Sequence, residues 1–398
     1  MARILGKVFV KQNYRDCQAY YGKVWKIVLK SNYSCPPLFL SRGARGDRDF
    51  DRVLLTTDLN AWFFVKNCKL LRVLYASDIF LRISMKQLLI AERFCLIAHV
   101  LSMAFGLAGL LIVLPRPELV MSLSPAGQTL FQWGMAGGGV VYIIFGAAAV
   151  ALYAFRTLGL GATLTFLLPS VFLSLSSELL GTSTGFPFGH YHYLSGLGYK
   201  IAGLVPFTIP LSWFYLGLVS YVIARAGLAG GKGEINWVRQ LGAIALGAML
   251  LTAWDFVLDP AMSQTSMPFW EFEEVGAFFG MPYRNLAGWM GTGALFMSSA
   301  AFFWRKTPIH LERSEMGLPL IVYVVNFAFG AIITVTSLDS RFWFPTLLAV
   351  LLGVVPAIVL SAIAKPAVSN ATDTIPPSLD KSALKTEIPP QPVGAVRK

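Results

Sequence analysis

Acidic residues are scarce in the apolar part of this chain, and the few that lie there are the side chains best suited to catalysis. Glu178 stands at the end of one long apolar stretch, and Asp255 and Asp259 stand four residues apart within another. Residues at this spacing share one face of a helix. A carboxylate at the middle of a bilayer costs about 2.5 to 3.5 kcal/mol on insertion scales, so such groups usually face a cavity and a partner. The alternative is that the Asp pair caps a helix end and binds a neighbouring arginine.

A second group of candidates lies in the segment 181–193, where glycines flank alternating histidine and tyrosine. His190 and His192 alternate with Tyr191 and Tyr193. The histidines would act as proton donors or metal ligands, or they would be the polar tips of an interfacial aromatic belt. A metal needs three or four ligands, which His-x-His together with Asp or Glu would supply. A metal-dependent intramembrane hydrolase is therefore one alternative function.

Composition places these candidates in a membrane protein. The chain has 398 residues, of which 55% are hydrophobic and 14% are charged, and its mean hydropathy is +0.60. Soluble domains carry about 25% charged residues, so this chain has too little polar surface for a water-soluble fold. A net charge of +12 would suggest nucleic acid, but residues 1–84 account for +9 of it. Nucleic acid is therefore not expected as a partner of the apolar part.

Eight stretches of the chain are apolar over the length of about 20 residues that a bilayer core requires. They lie at 94–114, 130–155, 159–179, 201–224, 240–258, 286–304, 317–337 and 343–364. Each should be a helix, because backbone groups in lipid must form hydrogen bonds within their own segment. The predicted fold is an all-α polytopic integral membrane helix bundle with about eight transmembrane helices.

The distribution of Lys and Arg between alternate connections predicts the orientation of this bundle. If Met85 is cytoplasmic, ten basic residues fall in cytoplasmic connections and four fall outside. Cytoplasmic loops carry an excess of Lys and Arg, so both termini are predicted to be cytoplasmic.

Under this topology several polar side chains reach the same, outer boundary of the membrane, which indicates a single site. They are Glu178, Asp255, Asp259, Arg284 and Asn285.

Three regions are predicted along the chain. Residues 1–84 form a basic leader, which is either an amphitropic extension or sequence upstream of the true start at Met85. Residues 85–364 form the membrane domain, and residues 365–398, which are rich in Pro, Ser and Thr, form a disordered tail. The long aromatic connection 260–283 is predicted to be an amphipathic lid over the polar cluster.

Three blocks of the sequence resemble the membrane carotenoid hydratases. They are SELLGTSTGFPFGHYHY at 177–193, WDFVLDP at 254–260 and FGMPYRNLAGW at 279–289. The resemblance extends over about 86–364. This family includes cyanobacterial gamma-carotene 1'-hydroxylases and archaeal bisanhydrobacterioruberin hydratases.

The resemblance implies a hydro-lyase that adds water to the terminal C=C bond of an acyclic psi end, as in gamma-carotene or lycopene. Its product would enter the synthesis of myxol-type carotenoids if the source is a cyanobacterium, in the plasma or thylakoid membrane. The reaction requires neither oxygen nor a cofactor. The expected partners are the carotenoid, the lipid bilayer and other enzymes of the same pathway.

The chemistry of adding water to an isolated trisubstituted alkene indicates which roles the residues of such a hydratase must fill. Protonation at the less substituted carbon leaves a tertiary cation, which water captures. The protein must therefore supply an acid beside the alkene and a polar group that holds the water and takes its proton. We assign Asp255 as the general acid, with Glu178 or Asp259 holding the water and His190 or His192 tuning the proton network.

The predicted substrate-binding side chains are mostly aromatic, because ring faces stabilise a cation. Two polar residues, Arg284 and Asn285, would orient the carboxylates. The complete predicted set is Trp254, Phe186, Phe188, Tyr191, Tyr193, Trp270, Arg284, Asn285 and Trp289.

A proton-coupled transporter is a further alternative, because it also places carboxylates and broken helices in the membrane. It would require a polar pathway to both faces and internal repeats, and the sequence shows neither.

Overall fold

The computed structural model describes residues 85–229, 236–305, 309 and 311–366. Within these residues eight helices are long and apolar enough to cross a membrane. The predicted all-α polytopic membrane fold is therefore confirmed, whereas the cytoplasmic position of the termini stays a prediction. The leader at 1–84 and the tail beyond 366 lie outside the described residues.

The eight spanning helices and one short helix are numbered together in chain order. The spanning helices are α1 Met85–Val113, α3 Pro125–Leu158, α4 Leu160–Thr184, α5 Thr208–Leu228, α6 Trp237–Ser263, α7 Tyr283–Trp304, α8 Gly317–Ser337 and α9 Ser340–Ile363. The short helix, α2 Pro117–Met121, follows the first span. Helices α1 and α9 each contain one π-helical turn, at Gly109–Val113 and Val350–Val354.

Four short strands in the described chain form two small antiparallel sheets. Strand β1 Tyr191–Tyr193 pairs with β4 Trp270–Phe272. Strand β2 Lys200–Ile201 pairs with β3 Val205–Pro206. The β1–β4 pair joins two connections that are far apart in the sequence, and it lies where the polar residues of the spans converge.

The predicted start of the fourth span, at residue 201, is wrong. The chain folds into β2 and β3 before α5 begins at Thr208. Pro206 stands in β3, and Pro210 stands in the first turn of α5, where the missing N–H of proline removes no helical hydrogen bond. The apolar run therefore extended past the true helix boundary into a hairpin.

Helices α5 and α6 form the centre of the bundle. In their most apolar windows, 83% of the residues of α5 and 72% of those of α6 are buried, against 11% for α1. The outer surface of the bundle carries large apolar side chains, such as Phe105 and Trp133. A surface of this kind suits contact with lipid rather than water.

The connections bring three helix ends together at one end of the bundle. Helix α4 ends at Thr184, and the left-handed backbone of Gly185 (φ +76°) then turns the chain toward β1. Helix α6 runs through Pro260 to Ser263, and the chain then returns through β4 to the first turn of α7. Because β4 pairs with β1, the last turns of α4 and α6 lie beside the first turn of α7.

Candidate active site

Three buried carboxylates face a common cavity at this end of the bundle. Glu178 comes from the end of α4, and Asp255 and Asp259 come from the end of α6; each is at most 3% exposed. All three line a cavity of about 50 Å³, enough for a few water molecules. No Lys, Arg or His of the described chain lines it. The convergence that the sequence predicted is therefore present.

Glu178 accepts hydrogen bonds from three aromatic side chains. The hydroxyl groups of Tyr191 and Tyr193 both donate to Oε2, the second at 2.8 Å, and Nε1 of Trp213 donates to Oε1 at 2.9 Å. Burial, and then the charge of Glu178, raise the pKa of both tyrosines well above the ordinary phenol value. The phenols therefore remain protonated and act as hydrogen-bond donors.

Asn285, in the first turn of α7, bridges the two aspartates. Its Nδ2 donates to Oδ2 of Asp255 at 2.9 Å and to Oδ2 of Asp259 at 3.1 Å. Nε1 of Trp270, from β4, donates to the other oxygen of Asp259 at 2.6 Å. Both oxygens of Asp259 are thus satisfied by protein donors.

Oδ1 of Asp255 is the exception among these carboxylate oxygens. It is buried and accepts no hydrogen bond from any described residue, and Nε1 of Trp254 beside it in the chain is also buried without a partner. Leaving such a group unpaired costs about 1 to 3 kcal/mol. Buried unpaired polar atoms are rare enough to call for a functional or solvent explanation. An acidic proton or a water molecule would satisfy Oδ1.

Aromatic rings form the remaining wall of the cavity. Trp213 stacks on Trp289 with ring centroids 4.1 Å apart, and Trp254 meets Trp289 edge to face at 5.9 Å. Phe188, which is 2% exposed, packs against Trp213 at 6.1 Å. This wall can stabilise a positive charge that develops beside the carboxylates.

The two predicted histidines do not meet the carboxylates. Strand residues alternate between faces, so Tyr191 and Tyr193 point into the cavity while His192 points outward. His192 lies 3.8 Å from Glu271 in an exposed pair, and His190 is also exposed. Neither lines the cavity, so the expectation that they tune its proton network is not supported by their positions.

Two further predicted residues lie outside the cavity. Phe186 and Arg284 are exposed and line a separate groove between α4 and α7. Among the described residues Arg284 makes no ion pair with the carboxylates, so its position does not support the expectation that it orients them. Asn285, its neighbour in sequence, makes the contacts that were expected of both.

The connection 264–282 covers the cavity, but it is extended rather than helical. Trp270 and Phe272 of β4 line the cavity wall, and two isolated β-bridges, Gly276 with Gly280 and Phe278 with Met281, fold the rest. The predicted position of a lid is therefore correct, and its conformation is set by pairing with β1.

Trp213 is a site residue that sequence reasoning missed. It stands in the second turn of α5, where a tryptophan looks like an ordinary interfacial anchor. Its indole N–H has a buried carboxylate as its acceptor, and that partner is 35 residues away in the chain. In the sequence Trp213 is marked only by its position shortly after Pro210, and that position does not distinguish a site residue from an interfacial anchor.

The described residues include no group of three or more His, Cys, Asp or Glu arranged to hold a metal ion. The His-x-His pair that a metal-dependent hydrolase would use is outside the carboxylate cavity. The arrangement instead resembles an acid–base site in an apolar chamber, with a bridging amide that holds two carboxylates together.

Comparison with known proteins indicates the family of this chain. A model of the carotenoid biosynthesis protein family matches residues 138–356, which is more than half of the chain and includes all three carboxylates. The bisanhydrobacterioruberin hydratase of Haloarcula japonica is 35% identical over 183 residues. This alignment covers 45% of the chain and 58% of the relative. No solved structure matches the chain.

The family match confirms the resemblance that the three sequence blocks indicated. Eight apolar helices, a carboxylate cavity and the matched segment coincide in one membrane domain. The chain therefore belongs to the family of carotenoid biosynthesis proteins.

Proposed function

We propose that this integral membrane protein is a carotenoid hydratase, which adds water to the terminal C=C bond of an acyclic psi end and forms a tertiary alcohol. The observation that carries the proposal is the group of three buried carboxylates in an aromatic cavity that no described Lys, Arg or His lines. The similarity to a bisanhydrobacterioruberin hydratase supports it. Gamma-carotene or lycopene would be the substrate, and the product would enter the synthesis of myxol-type carotenoids.

The proton comes from the aspartate pair. Three carboxylates that share a buried cavity without a cation cannot all be ionised, because each unpaired buried charge costs several kcal/mol. At least one proton is therefore held among them. We assign it to Asp255, whose Oδ1 has no donor among the described residues, and Asp255 gives it to the less substituted carbon of the alkene.

The cation that follows lies at the tertiary carbon, beside the tryptophans. Trp213, Trp254 and Trp289 all line the cavity in which it forms. Ring quadrupoles stabilise a desolvated cation by about 2 kcal/mol or more each. Most of the other side chains that line the cavity are apolar or aromatic, and a water molecule held beside the carboxylates is the nucleophile.

Glu178 takes the proton of the attacking water. Three neutral donors surround its two oxygens, so it is the carboxylate best satisfied as an anion. The proton returns to Asp255 through the cavity water. One alkene and one water give one alcohol, and neither an oxidant nor a reductant is consumed.

The test is expression of the full chain in a bacterium that produces lycopene, followed by mass analysis of the pigments. We expect a product heavier by one water, formed equally well without oxygen. Absence of this product from a correctly inserted protein that is supplied with lycopene and gamma-carotene would overturn the proposal. A product that depends on oxygen, or that chelators abolish, would replace it with an oxygenase or a metal enzyme.

A further inference from the structure

A second, larger hollow lies on the outer surface of the bundle, next to the carboxylate cavity. It is a groove of about 530 Å³ between the end of α4 and the first half of α7. We call it the lateral groove. Its floor on α7 is formed by small residues, Ala287, Gly288 and Gly291, and its far end by Leu295. Ala287, Gly291 and Leu295 are exposed on the outer surface of the bundle.

One aromatic ring forms the partition between the lateral groove and the cavity. Phe188 lines the cavity, and its ring lies against the bare backbone of both flanking helices. A β-carbon on Gly181 of α4 would come within 2.8 Å of this ring, and one on Gly288 of α7 within 2.5 Å. Gly288 also lines the groove. Only a glycine on each helix lets the ring fill this gap.

The backbone turns at a glycine on each side of Phe188. Gly185 and Gly189 both have positive φ angles, of +76° and +104°. Such positions turn the chain without the restraint that a side chain would impose. The ring is therefore carried on a short segment between two glycines, rather than on a helix.

The two volumes define what each space can hold. The cavity, at about 50 Å³, accommodates a few waters and cannot contain a long hydrocarbon. The lateral groove, at about 530 Å³, falls in the range of about 300 to 1,000 Å³ that is typical of ligand pockets. Between Arg284 and Leu295 it follows α7 for about 16 Å. A long substrate that reacts in the cavity must lie mainly elsewhere, and this groove is adjacent.

We propose that the lateral groove binds the polyene chain of an acyclic isoprenoid, and that its terminal alkene reaches the carboxylates past the displaced ring of Phe188. This inference rests on the proposed hydratase function and adds the site that selects long substrates. The groove opens toward the bilayer, so the substrate enters sideways from the lipid. Arg284, exposed at the groove's outer end, marks the boundary with water.

The test places a larger side chain in the lateral groove and leaves the three carboxylates unchanged. A β-carbon added at Gly291 would meet no atom within 4 Å, so Gly291→Leu places a side chain in open groove space. The matched control is Gly161→Leu, near the start of α4, which is equally open and exposed but far from the groove. Leu favours a helix over Gly, so neither substitution should weaken the fold. Both variants and the parent are assayed with lycopene and with a short acyclic terpene that carries the same terminal alkene.

We expect Gly291→Leu to lower lycopene hydration by about tenfold or more, the discrimination that a misfitting group produces in an apolar pocket. Hydration of the short terpene should be unchanged, and Gly161→Leu should match the parent on both substrates. Equal lycopene hydration by Gly291→Leu and the parent would show that the polyene chain does not lie in the groove and would overturn the inference, as would an equal loss on both substrates. Failure of the parent on both substrates would instead reject the hydratase function on which the inference rests.

Discussion

Replacement of each aspartate by asparagine should separate catalysis from stability, because the two residues have different hydrogen-bond partners. In Asp255→Asn the amide oxygen takes the place of Oδ2 and still accepts from Asn285, whose Nδ2 lies 2.9 Å from that position. The amide nitrogen takes the place of Oδ1, which has no protein partner in the described chain. The substitution therefore breaks no hydrogen bond and removes only the acidic proton.

Asp259→Asn has the opposite consequence. Both oxygens of Asp259 accept hydrogen bonds, from Trp270 and from Asn285, so the amide nitrogen must face a donor whichever way it turns. An indole N–H cannot accept, and a flipped Asn285 would also lose its bond to Asp255. One buried group is left unpaired, which costs about 1 to 3 kcal/mol.

We therefore expect Asp255→Asn to keep the parent's free energy of unfolding and to lose about a hundredfold to ten-thousandfold in hydration rate, the usual contribution of a general acid. Asp259→Asn should unfold more easily by about 1 to 3 kcal/mol. The measurements are single-turnover conversion of lycopene in lipid nanodiscs, followed by mass analysis, and denaturant unfolding in one detergent. Parent-like conversion by Asp255→Asn, or parent-like stability of Asp259→Asn, would refute this reasoning.

Three further predictions address the surroundings of the cavity and the opposite end of the bundle. Tyr191→Phe and Tyr193→Phe each remove a donor to Glu178 and should slow hydration by about tenfold to a hundredfold. Burial raises the pKa of both phenols, so both should keep donating hydrogen bonds to Glu178 as the pH rises through about 10, where exposed tyrosines ionise. An alkaline absorbance titration of the double variant should therefore match that of the parent near this pH. His190→Ala and His192→Ala should keep the parent's activity in the same nanodisc assay, since both side chains are exposed; a loss in either would restore their predicted role. Arg156→Leu leaves Glu92, 2.7 Å from the guanidinium, without its partner, so denaturant unfolding should show a loss of about 3 kcal/mol, and an unchanged value would mean that solvent screens the pair.

The spans and the position of the acids could be predicted from the sequence because the bilayer restricts the backbone. A chain in lipid must satisfy its hydrogen bonds within each segment, so apolar runs of sufficient length become helices. The order of the helices then sets which ends meet, and this order predicts that Glu178 lies near Asp255 and Asp259. The error at the start of α5 arose because residues 201–207 are apolar enough for a span but pair as β2 and β3.

The partners of the acids depended on contacts between distant segments. Pairing of β1 with β4 turns Tyr191 and Tyr193 inward and His192 outward, and nothing local in the segment 190–193 distinguishes that register from its opposite. The contact of Trp213 with Glu178 joins two helices, and the choice of Asn285 over Arg284 depends on the rotation of α7.

The sequence alone thus determined that this protein is a membrane helix bundle with a few acids gathered at one end. Only the tertiary structure decided which side chains donate to those acids, which oxygen of Asp255 has no donor among the described residues, and that the ring of Phe188 lies between the cavity and the lateral groove. The physical reason is that hydrophobic length and helix order are properties of each segment, whereas hydrogen-bond partners and cavities depend on how distant segments pack.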